Sequence, residues 1–250
     1  KGDGSGGLGN QRLKSTSASW EGVQMKCLWC GEEVDRAQPI LSFLLGANRK
    51  CICVHCEKPF MELKKHPTCL ECGRLMTKVE VCPDCQKWHQ VKEAVLLKNT
   101  ALYAYDEAGR KFMELFKFVG DTRVTVLVIK ELRQELLKYQ KNGFVLCPLP
   151  SSKASLMKRE FETIPYILEQ CHVSTVSLLE HIGSGKKQSE KTRQERLQLK
   201  QPFKIKESVV IPKKVLLVDD VYTTGATIHL AARTLREMGV EEVESLTLFR

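Results

Sequence analysis

The sequence contains no apolar stretch long enough to cross a bilayer. Its longest candidates, residues 39–47 and 124–129, fall well short of the ~20 residues that a membrane helix needs, and the first residues lack the apolar centre of a secretory signal peptide. No Gly-Lys-Ser/Thr sequence is present either, which excludes a Walker A loop and an ATPase motor built on one. We therefore expect a cytoplasmic protein without a membrane span.

Acidic residues are fewer than basic ones. Lys and Arg number 39 against 30 Asp and Glu, and the formal charge of +9 favours anionic partners such as nucleic acids or phosphorylated metabolites. Residues 186–206 carry eight basic residues and two Glu, so most of the excess lies in this one segment. The 250 residues, 42% of them hydrophobic, suffice for one full core and a small additional module.

Cysteine is unevenly distributed and divides the chain. Residues 1–24 are rich in Gly and Ser, which is typical of a flexible leader or linker. Nine of the eleven cysteines lie between Cys27 and Cys85, which predicts a small cysteine-rich module over residues 25–95. Helix and strand patterns dominate residues 96–250, where we expect a second domain.

Apolar strands alternate with amphipathic helices in this second domain. One helix face is predicted by four apolar residues at i, i+3, i+4 and i+7. They are Phe112, Leu115, Phe116 and Val119. Strands are predicted at 101–105, 144–150, 172–179, 213–220 and 241–249, and helices around 122–140, 154–170 and 225–238. The alternation predicts an α/β domain with a mostly parallel sheet flanked by helices.

Four Cys-x2-Cys pairs supply eight thiols in the cysteine-rich module. A closed structural zinc site takes four ligands, so eight thiolates suit two Zn²⁺ ions in a zinc-ribbon-like domain. Sequential pairing puts the first two pairs on one ion and the last two on the other, and a crossed pairing fits the spacing too. Cys51 is left over: it could replace Cys53 as a ligand, but the Cys-x2-Cys geometry favours Cys53. The predicted ligands are Cys27, Cys30, Cys53, Cys56, Cys69, Cys72, Cys82 and Cys85.

Residues 215–227 combine an apolar strand, two acids, a hydroxyl-rich turn and the start of a helix. In an open α/β sheet, ligands bind at the carboxyl ends of strands, where free N–H groups at a helix N-terminus hold an anion. Threonine hydroxyls add donors, and Gly225 lets the backbone approach the ligand closely. The adjacent carboxylates of Asp219 and Asp220 suit sugar hydroxyls or a bridging Mg²⁺. Together these features predict a site for a ribose 5-phosphate.

VLLVDDVYTTGAT (215–227) resembles the phosphoribosyl-pyrophosphate (PRPP) signature of type I phosphoribosyltransferases. With the cysteine-rich module in front of it, the chain resembles the ComF family of competence proteins. The resemblance implies a type I phosphoribosyltransferase-like fold, and Mg²⁺ that accompanies PRPP. It makes Asp219 and Asp220 the candidate catalytic residues, on the ribose hydroxyls. Around the 5-phosphate it implies Thr223, Thr224, Gly225, Ala226 and Thr227.

Two shorter segments resemble other parts of the same family. LFKFVGD (115–121) resembles a family segment of the form Lys-[Phe/Tyr]-x-Gly-Asp, which makes Lys117 a candidate ligand-binding residue. CPLPSS (147–152) resembles the strand and loop that face pyrophosphate, and implies Ser151 and Ser152 on that side.

Arg159 matches the first residue of an Arg-Gly-Phe-Asn stretch in the family, which also places it on the pyrophosphate side. This chain has Glu160 and Glu162 where that stretch has Gly and Asn, and both acids would repel pyrophosphate. A ligand site is therefore better supported than transferase turnover.

The resemblance places a flexible loop that closes over bound PRPP in the basic segment 186–206. The same charges suit the phosphates of single-stranded DNA, where each neutralised phosphate releases a counterion. A solvated helix with internal charge pairs is the alternative. Single-strand binding also uses aromatic side chains that stack on bases, and aromatic residues make up only 7% of the chain. The candidate nucleic-acid contacts are Lys186, Lys187, Lys191, Arg193 and Arg196.

The resemblance also implies a function. It indicates a competence factor that acts in the uptake or processing of transforming single-stranded DNA and associates with ComFA, a DNA-translocating ATPase. Two alternatives stay open. One is an enzyme that transfers a 5-phosphoribosyl group from Mg-PRPP to an unknown acceptor, and the other is a non-catalytic adaptor for the ATPase.

Overall fold

The computed structural model describes residues 26–34, 51–91, 94–159, 161–182 and 202–250. Two compact units divide the chain, Lys1–Cys53 and Val54–Arg250. The predicted leader and the five predicted nucleic-acid contacts lie outside the described residues and stay predictions, as does the domain boundary near residue 95. No helix within the described ranges is long and apolar enough to cross a membrane.

A four-stranded parallel sheet lies at the centre of the second unit. The described strands are Asn99–Tyr103 (β1), Val145–Pro148 (β2), Leu179–His181 (β3), Phe203–Ile205 (β4), Lys214–Val221 (β5) and Glu242–Phe249 (β6). The main sheet has the order β1-β6-β5-β2, and each neighbouring pair is parallel. The four consecutive apolar residues 215–218 of β5 are all buried, so this central strand is covered on both faces.

Helices flank the main sheet. The described α-helices are Pro83–His89 (α1), Glu107–Glu114 (α2), Val126–Lys141 (α3), Lys153–Arg159 (α4), Thr163–Gln170 (α5) and Ala226–Glu237 (α6). Short 3-10 turns cover Val54–Cys56, Leu63–Lys65 and Thr122–Thr125. Helix α3 contacts β2, α5 contacts β5 and α6 contacts β6. The predicted fold class, a mostly parallel sheet flanked by helices, is therefore confirmed.

The helix face predicted from Phe112 to Val119 is correct only in its first part. Phe112 and Phe116 are fully buried, whereas Val119 is 66% exposed. The α-helix ends at Glu114, and a π-helical turn, Leu115–Val119, follows it. Because the π-turn changes the helical period, the last apolar residue of the pattern no longer faces the core.

The long strand predicted at 172–179 is wrong. Only Leu178 and Leu179 of its apolar residues are buried, and Val176 is 42% exposed. Strand β3 begins at Leu179 and pairs antiparallel with β4 in a separate two-stranded sheet. His172 has φ 49°, and the segment from this residue to Leu178 has no regular secondary structure. The helical pattern predicted at 154–170 is likewise divided into α4 and α5.

Four buried cysteines belong to the core of the α/β domain. Cys69, Cys72, Cys82 and Cys85, called here the second cysteine group, are at most 3% exposed. They form one apolar cluster with residues of β5 and α6, the two elements that border the hydroxyl-rich turn. The cluster includes Val215, Leu217, Ile228, Ala231 and Leu235. The cysteines therefore share one core with the elements that carry the predicted ligand site.

Candidate functional site

Two adjacent acids lie near the carboxyl end of β5. Asp220 is 9% exposed, and a carboxylate oxygen of Asp219 accepts a hydrogen bond from the Asp220 amide at 2.9 Å. Strands β2 and β6 run parallel on either side of β5, so the carboxyl ends of three strands meet at this edge. This is the edge at which open α/β sheets bind their ligands.

Two elements of the fold hold the Asp220 carboxylate. Lys117 Nζ, from the π-turn, lies 2.5 Å from Asp220 Oδ2, and the two side chains are only 15% and 12% exposed. The Thr163 hydroxyl, at the start of α5, donates to the same oxygen at 3.5 Å. Sequence reasoning proposed Lys117 but missed Thr163, which lies 57 residues from Asp220 in the chain and in no motif.

The pKa of the other acid, Asp219, is strongly raised. Burial and the carboxylate of Asp220 raise the pKa of Asp219 to about 7, although the Asp220 amide, Lys117 and Arg159 act in the opposite direction. Arg159, at the end of α4, therefore lies close enough to act on the acid pair. The structure thus brings together two carboxylates and two cations. Carboxylates suit hydroxyl groups or a divalent cation, and the cations suit phosphate.

Residues 222–225, called here the phosphate turn, connect β5 to α6. Thr223, Thr224 and, in the first turn of α6, Thr227 are exposed, so their hydroxyls are accessible to a ligand. Gly225 has φ 82°, and a Cβ at this position would overlap the Tyr222 hydroxyl. The turn therefore requires glycine at position 225 for two reasons: its left-handed backbone conformation and the lack of space for a Cβ.

The phosphate turn also presents unused backbone donors. Within the described residues, the N–H groups of Thr223, Thr224 and Gly225 have no hydrogen-bond acceptor. The first N–H groups of α6 add to them, since a helix leaves its N-terminal amides unpaired. Thr224 Oγ1 accepts only a long bond, 3.4 Å, from the Ala226 amide. Such a set of amides and hydroxyls is suited to an anion, and the position of the 5-phosphate stays a prediction.

The residues predicted on the pyrophosphate side reach the same edge of the sheet. Ser151 and Ser152 follow β2, which pairs with β5 up to the contact of Pro148 with Val218. Ser152 caps α4, since its Oγ accepts from the Ser155 amide at 3.2 Å and its hydroxyl donates to Ser155 Oγ at 3.0 Å. The structure therefore assigns Ser152 a local structural role in addition to the predicted one.

Two groups of four cysteines fit metal ions. In each group all four Sγ atoms lie within 4.8 Å of one another, and the pairing is the sequential one. The groups are Cys27, Cys30, Cys53 and Cys56, and Cys69, Cys72, Cys82 and Cys85. Cys51 belongs to neither group. Four thiols in one place match the tetrahedral sulfur coordination of structural Zn²⁺.

Backbone amides donate hydrogen bonds to one sulfur in each group and favour its thiolate form. The Cys53 amide donates to Cys27 Sγ and the Cys82 amide donates to Cys69 Sγ, both at 3.3 Å. Burial alone would raise the pKa of both thiols. These amides and others nearby outweigh it, so the pKa of Cys27 falls to about 6 and that of Cys69 to about 7. A lowered pKa favours the thiolate, which is the form that binds metal.

Comparison with known proteins identifies the family. The phosphoribosyl transferase domain family matches residues 119–250. Competence protein ComFC of Streptococcus pneumoniae (strain ATCC BAA-255 / R6) is 36% identical over 229 residues, which cover 90% of this chain and 100% of that protein. Competence protein ComFC of Bacillus subtilis (strain 168) is 33% identical over 217 residues, 83% of this chain and 87% of that protein.

A more distant relative is competence protein F of Haemophilus influenzae (strain ATCC 51907 / DSM 11121 / KW20 / Rd). It is 24% identical over 213 residues, which cover 80% of this chain and 90% of that protein. The chain therefore belongs to the ComFC family of competence proteins, and it carries a phosphoribosyl transferase domain.

Proposed function

We propose that this protein is a competence factor that binds a phosphorylated ribose of the PRPP type and acts in the uptake or processing of transforming single-stranded DNA. One observation carries the ligand assignment. An acid pair flanked by two cations lies beside a turn whose amides and hydroxyls are free to bind an anion. Hydroxyls next to a phosphate are the features that distinguish a ribose 5-phosphate from a simple anion.

Each part of the ligand has a chemically matched partner in this arrangement. The carboxylates of Asp219 and Asp220 accept hydrogen bonds from the ribose hydroxyls. The phosphate turn binds the 5-phosphate through N–H and O–H donors. Lys117, Arg159 and Ser151 lie on the side proposed for pyrophosphate, and Mg²⁺ would neutralise part of the pyrophosphate charge when it is bound.

Calorimetric titration with Mg-PRPP tests this assignment. The wild type should bind Mg-PRPP, and the double variant D219N/D220N should lose more than tenfold in affinity because the amide groups carry no charge for Mg²⁺ or hydroxyls. D106N is a matched control, since Asp106 caps α2 away from the acid pair and Asn caps helices as well as Asp. A wild-type protein that does not bind Mg-PRPP would exclude the proposed site.

Transfer of the 5-phosphoribosyl group is a second candidate activity. It is favoured by the two cations beside the acid pair, Lys117 and Arg159, which would stabilise the charge on departing pyrophosphate. In such a transfer the bond from ribose C1 to pyrophosphate oxygen breaks and a bond from C1 to the acceptor forms. Release of pyrophosphate that depends on an added acceptor would support transfer, and binding without release would restrict the protein to a ligand-sensing or adaptor role.

The DNA part of the proposal depends on the basic segment 186–206 and on family membership. Single-strand affinity should fall with salt at a log–log slope of about −0.7 per phosphate contact. Neutralising the five predicted contacts should flatten that slope. The five substitutions are K186Q, K187Q, K191Q, R193Q and R196Q. An unchanged slope would remove this segment from the DNA site.

We further propose that both cysteine groups bind zinc and that the protein works in the cytoplasm with a ComFA-like ATPase. All eleven cysteines are free thiols, as expected in a reducing compartment. Metal analysis should give about two zinc ions per chain, the number that eight thiolates can hold as closed sites. Co-purification with the ATPase tests the partner assignment.

A further inference from the structure

Three consecutive carbonyl groups of the phosphate turn accept hydrogen bonds from two side chains. The Arg250 guanidinium donates through Nη1 to the carbonyl oxygens of Tyr222, at 3.2 Å, and Thr223, at 2.9 Å. The indole Nε1 of Trp88 donates to the carbonyl oxygen of Thr224 at 3.0 Å. Neither side chain belongs to β5 or α6, the elements that the turn connects.

These contacts determine where the amides of the turn point. In a trans peptide the N–H and C=O groups point in opposite directions, and the described peptides are all trans. When the carbonyls of residues 222–224 face Arg250 and Trp88, the N–H groups of Thr223, Thr224 and Gly225 face away from them. These are the three amides that lack an acceptor within the described part of the chain.

One of these side chains contacts the second cysteine group, and the other lies on a helix that carries a cysteine of this group. Arg250 Nη2 donates to Cys72 Sγ at 3.3 Å. Trp88 lies in α1, the helix that also carries Cys85 one turn earlier. Four thiolates around Zn²⁺ leave a net charge of about −2, which the Arg250 cation partly balances. Arg250 thus links the turn to Cys72 directly, and Trp88 links it to Cys85 through the backbone of α1.

Aromatic packing completes the connection. Trp88 stacks on His229 of α6, with ring centroids 4.1 Å apart and planes 22° apart. His229 Nδ1 lies 2.9 Å from the Val95 carbonyl oxygen, and its Nε2 lies 3.3 Å from the Tyr222 hydroxyl. Arg250 lies over the Tyr222 ring, 4.9 Å from its centroid. Arg250 thus packs on Tyr222, where the turn begins, and Trp88 packs on His229 of α6, which follows the turn.

We propose that Arg250 and Trp88 are positioning residues that couple the second metal centre to the phosphate turn. They fix the carbonyls on one side, so that the amides are already directed at the phosphate before it binds. The inference rests on the proposed function of the turn as a phosphate site. It adds that metal occupancy of the second cysteine group sets the affinity of a site formed by other residues.

Hydrogen exchange of the ligand-free, zinc-loaded protein gives a test that is independent of PRPP binding. W88F removes the donor to the Thr224 carbonyl but retains a ring that can pack on His229. The amides of Tyr222 and His229, which donate to the Phe249 and Gly225 carbonyls at the two ends of the turn, should exchange roughly fivefold to tenfold faster, the factor expected from one lost hydrogen bond. R250M should have a larger effect, and R250K, which keeps one cationic donor, should restore part of the protection. K87A on α1 and R110M on α2 are controls, because both side chains are exposed.

PRPP affinity and zinc content of the same variants complete the experiment. W88F should bind two zinc ions and lose roughly fivefold to tenfold in PRPP affinity. If W88F and R250M retain zinc and wild-type exchange of the Tyr222 and His229 amides, the coupling is wrong. If exchange accelerates as expected but the wild type does not bind PRPP, the coupling stands and the proposed function fails. Should R250M lose zinc, W88F alone decides the outcome.

Discussion

Asp219 should reduce the stability of the folded protein, and its replacement by Asn should raise it. The carboxyl ionises near 3.8 when unperturbed and at a pKa of about 7 in the folded protein. The folded state therefore binds this proton more tightly than the unfolded chain does, and the free energy of unfolding falls as the pH rises from about 4 to about 7. A difference of about 3 pKa units corresponds to about 4 kcal/mol.

D219N removes this penalty without a large change in shape. The Asn side chain still offers an oxygen to the Asp220 amide, which donates to Asp219 in the wild type. At pH 8 the variant should be more stable by up to about 4 kcal/mol, a rise in melting temperature on the order of 10 °C. Near pH 4 the difference should shrink to a small fraction of this value, because the wild-type carboxyl is then protonated in the folded state and only partly ionised in the unfolded chain.

Thermal or urea unfolding at several pH values from 4 to 8 measures this difference. D121N is the matched control, because hydrogen bonds from Arg123 lower the pKa of Asp121 despite partial burial. That variant should lose stability at pH 8, the opposite sign. If D219N and the wild type have the same melting temperature at pH 8, or if the difference does not shrink on acidification, the pKa of Asp219 is not raised in the folded protein.

Two further predictions concern the turn and the cysteines. G225A should destabilise the protein by about 2–3 kcal/mol in urea unfolding, through its left-handed backbone and the overlap with Tyr222. G143A has a similar φ, 83°, and open space around it, so it should cost only about 1 kcal/mol, and equal losses would show that space at Gly225 is unimportant. Removing metal with a chelator should lower the melting temperature of the whole α/β domain, since Cys69 and Cys82 share its core. An unchanged calorimetric transition of the metal-free protein would contradict that expectation.

The sequence predicted those features whose residues are adjacent in the chain. Residues 215–227 specify a buried strand, an acid pair and a glycine turn in one continuous pattern, and the structure contains each of them. The Cys-x2-Cys spacing likewise predicted both cysteine groups, and the structure resolved their pairing. Such local patterns depend on backbone conformation and ligand count, which sequence spacing expresses directly.

Features that depend on tertiary packing escaped prediction. Thr163, Trp88 and Arg250 reach the site from distant segments, and none lies in a motif. Arg250 could have been proposed, because it follows the strand beside β5 and the carboxyl ends of parallel neighbours meet at one edge. Trp88 offered no such signal. The exposure of Val119 depends on a π-turn, which changes the helical period without an evident sequence marker.

Backbone NMR of the zinc-loaded protein during addition of ribose 5-phosphate tests the central claim most directly. The amide signals of residues 223–227 should shift together and saturate, because the phosphate binds their N–H groups. A titration that shifts only signals elsewhere, and leaves these five amides unchanged at saturating concentration, would contradict a phosphate site in this turn.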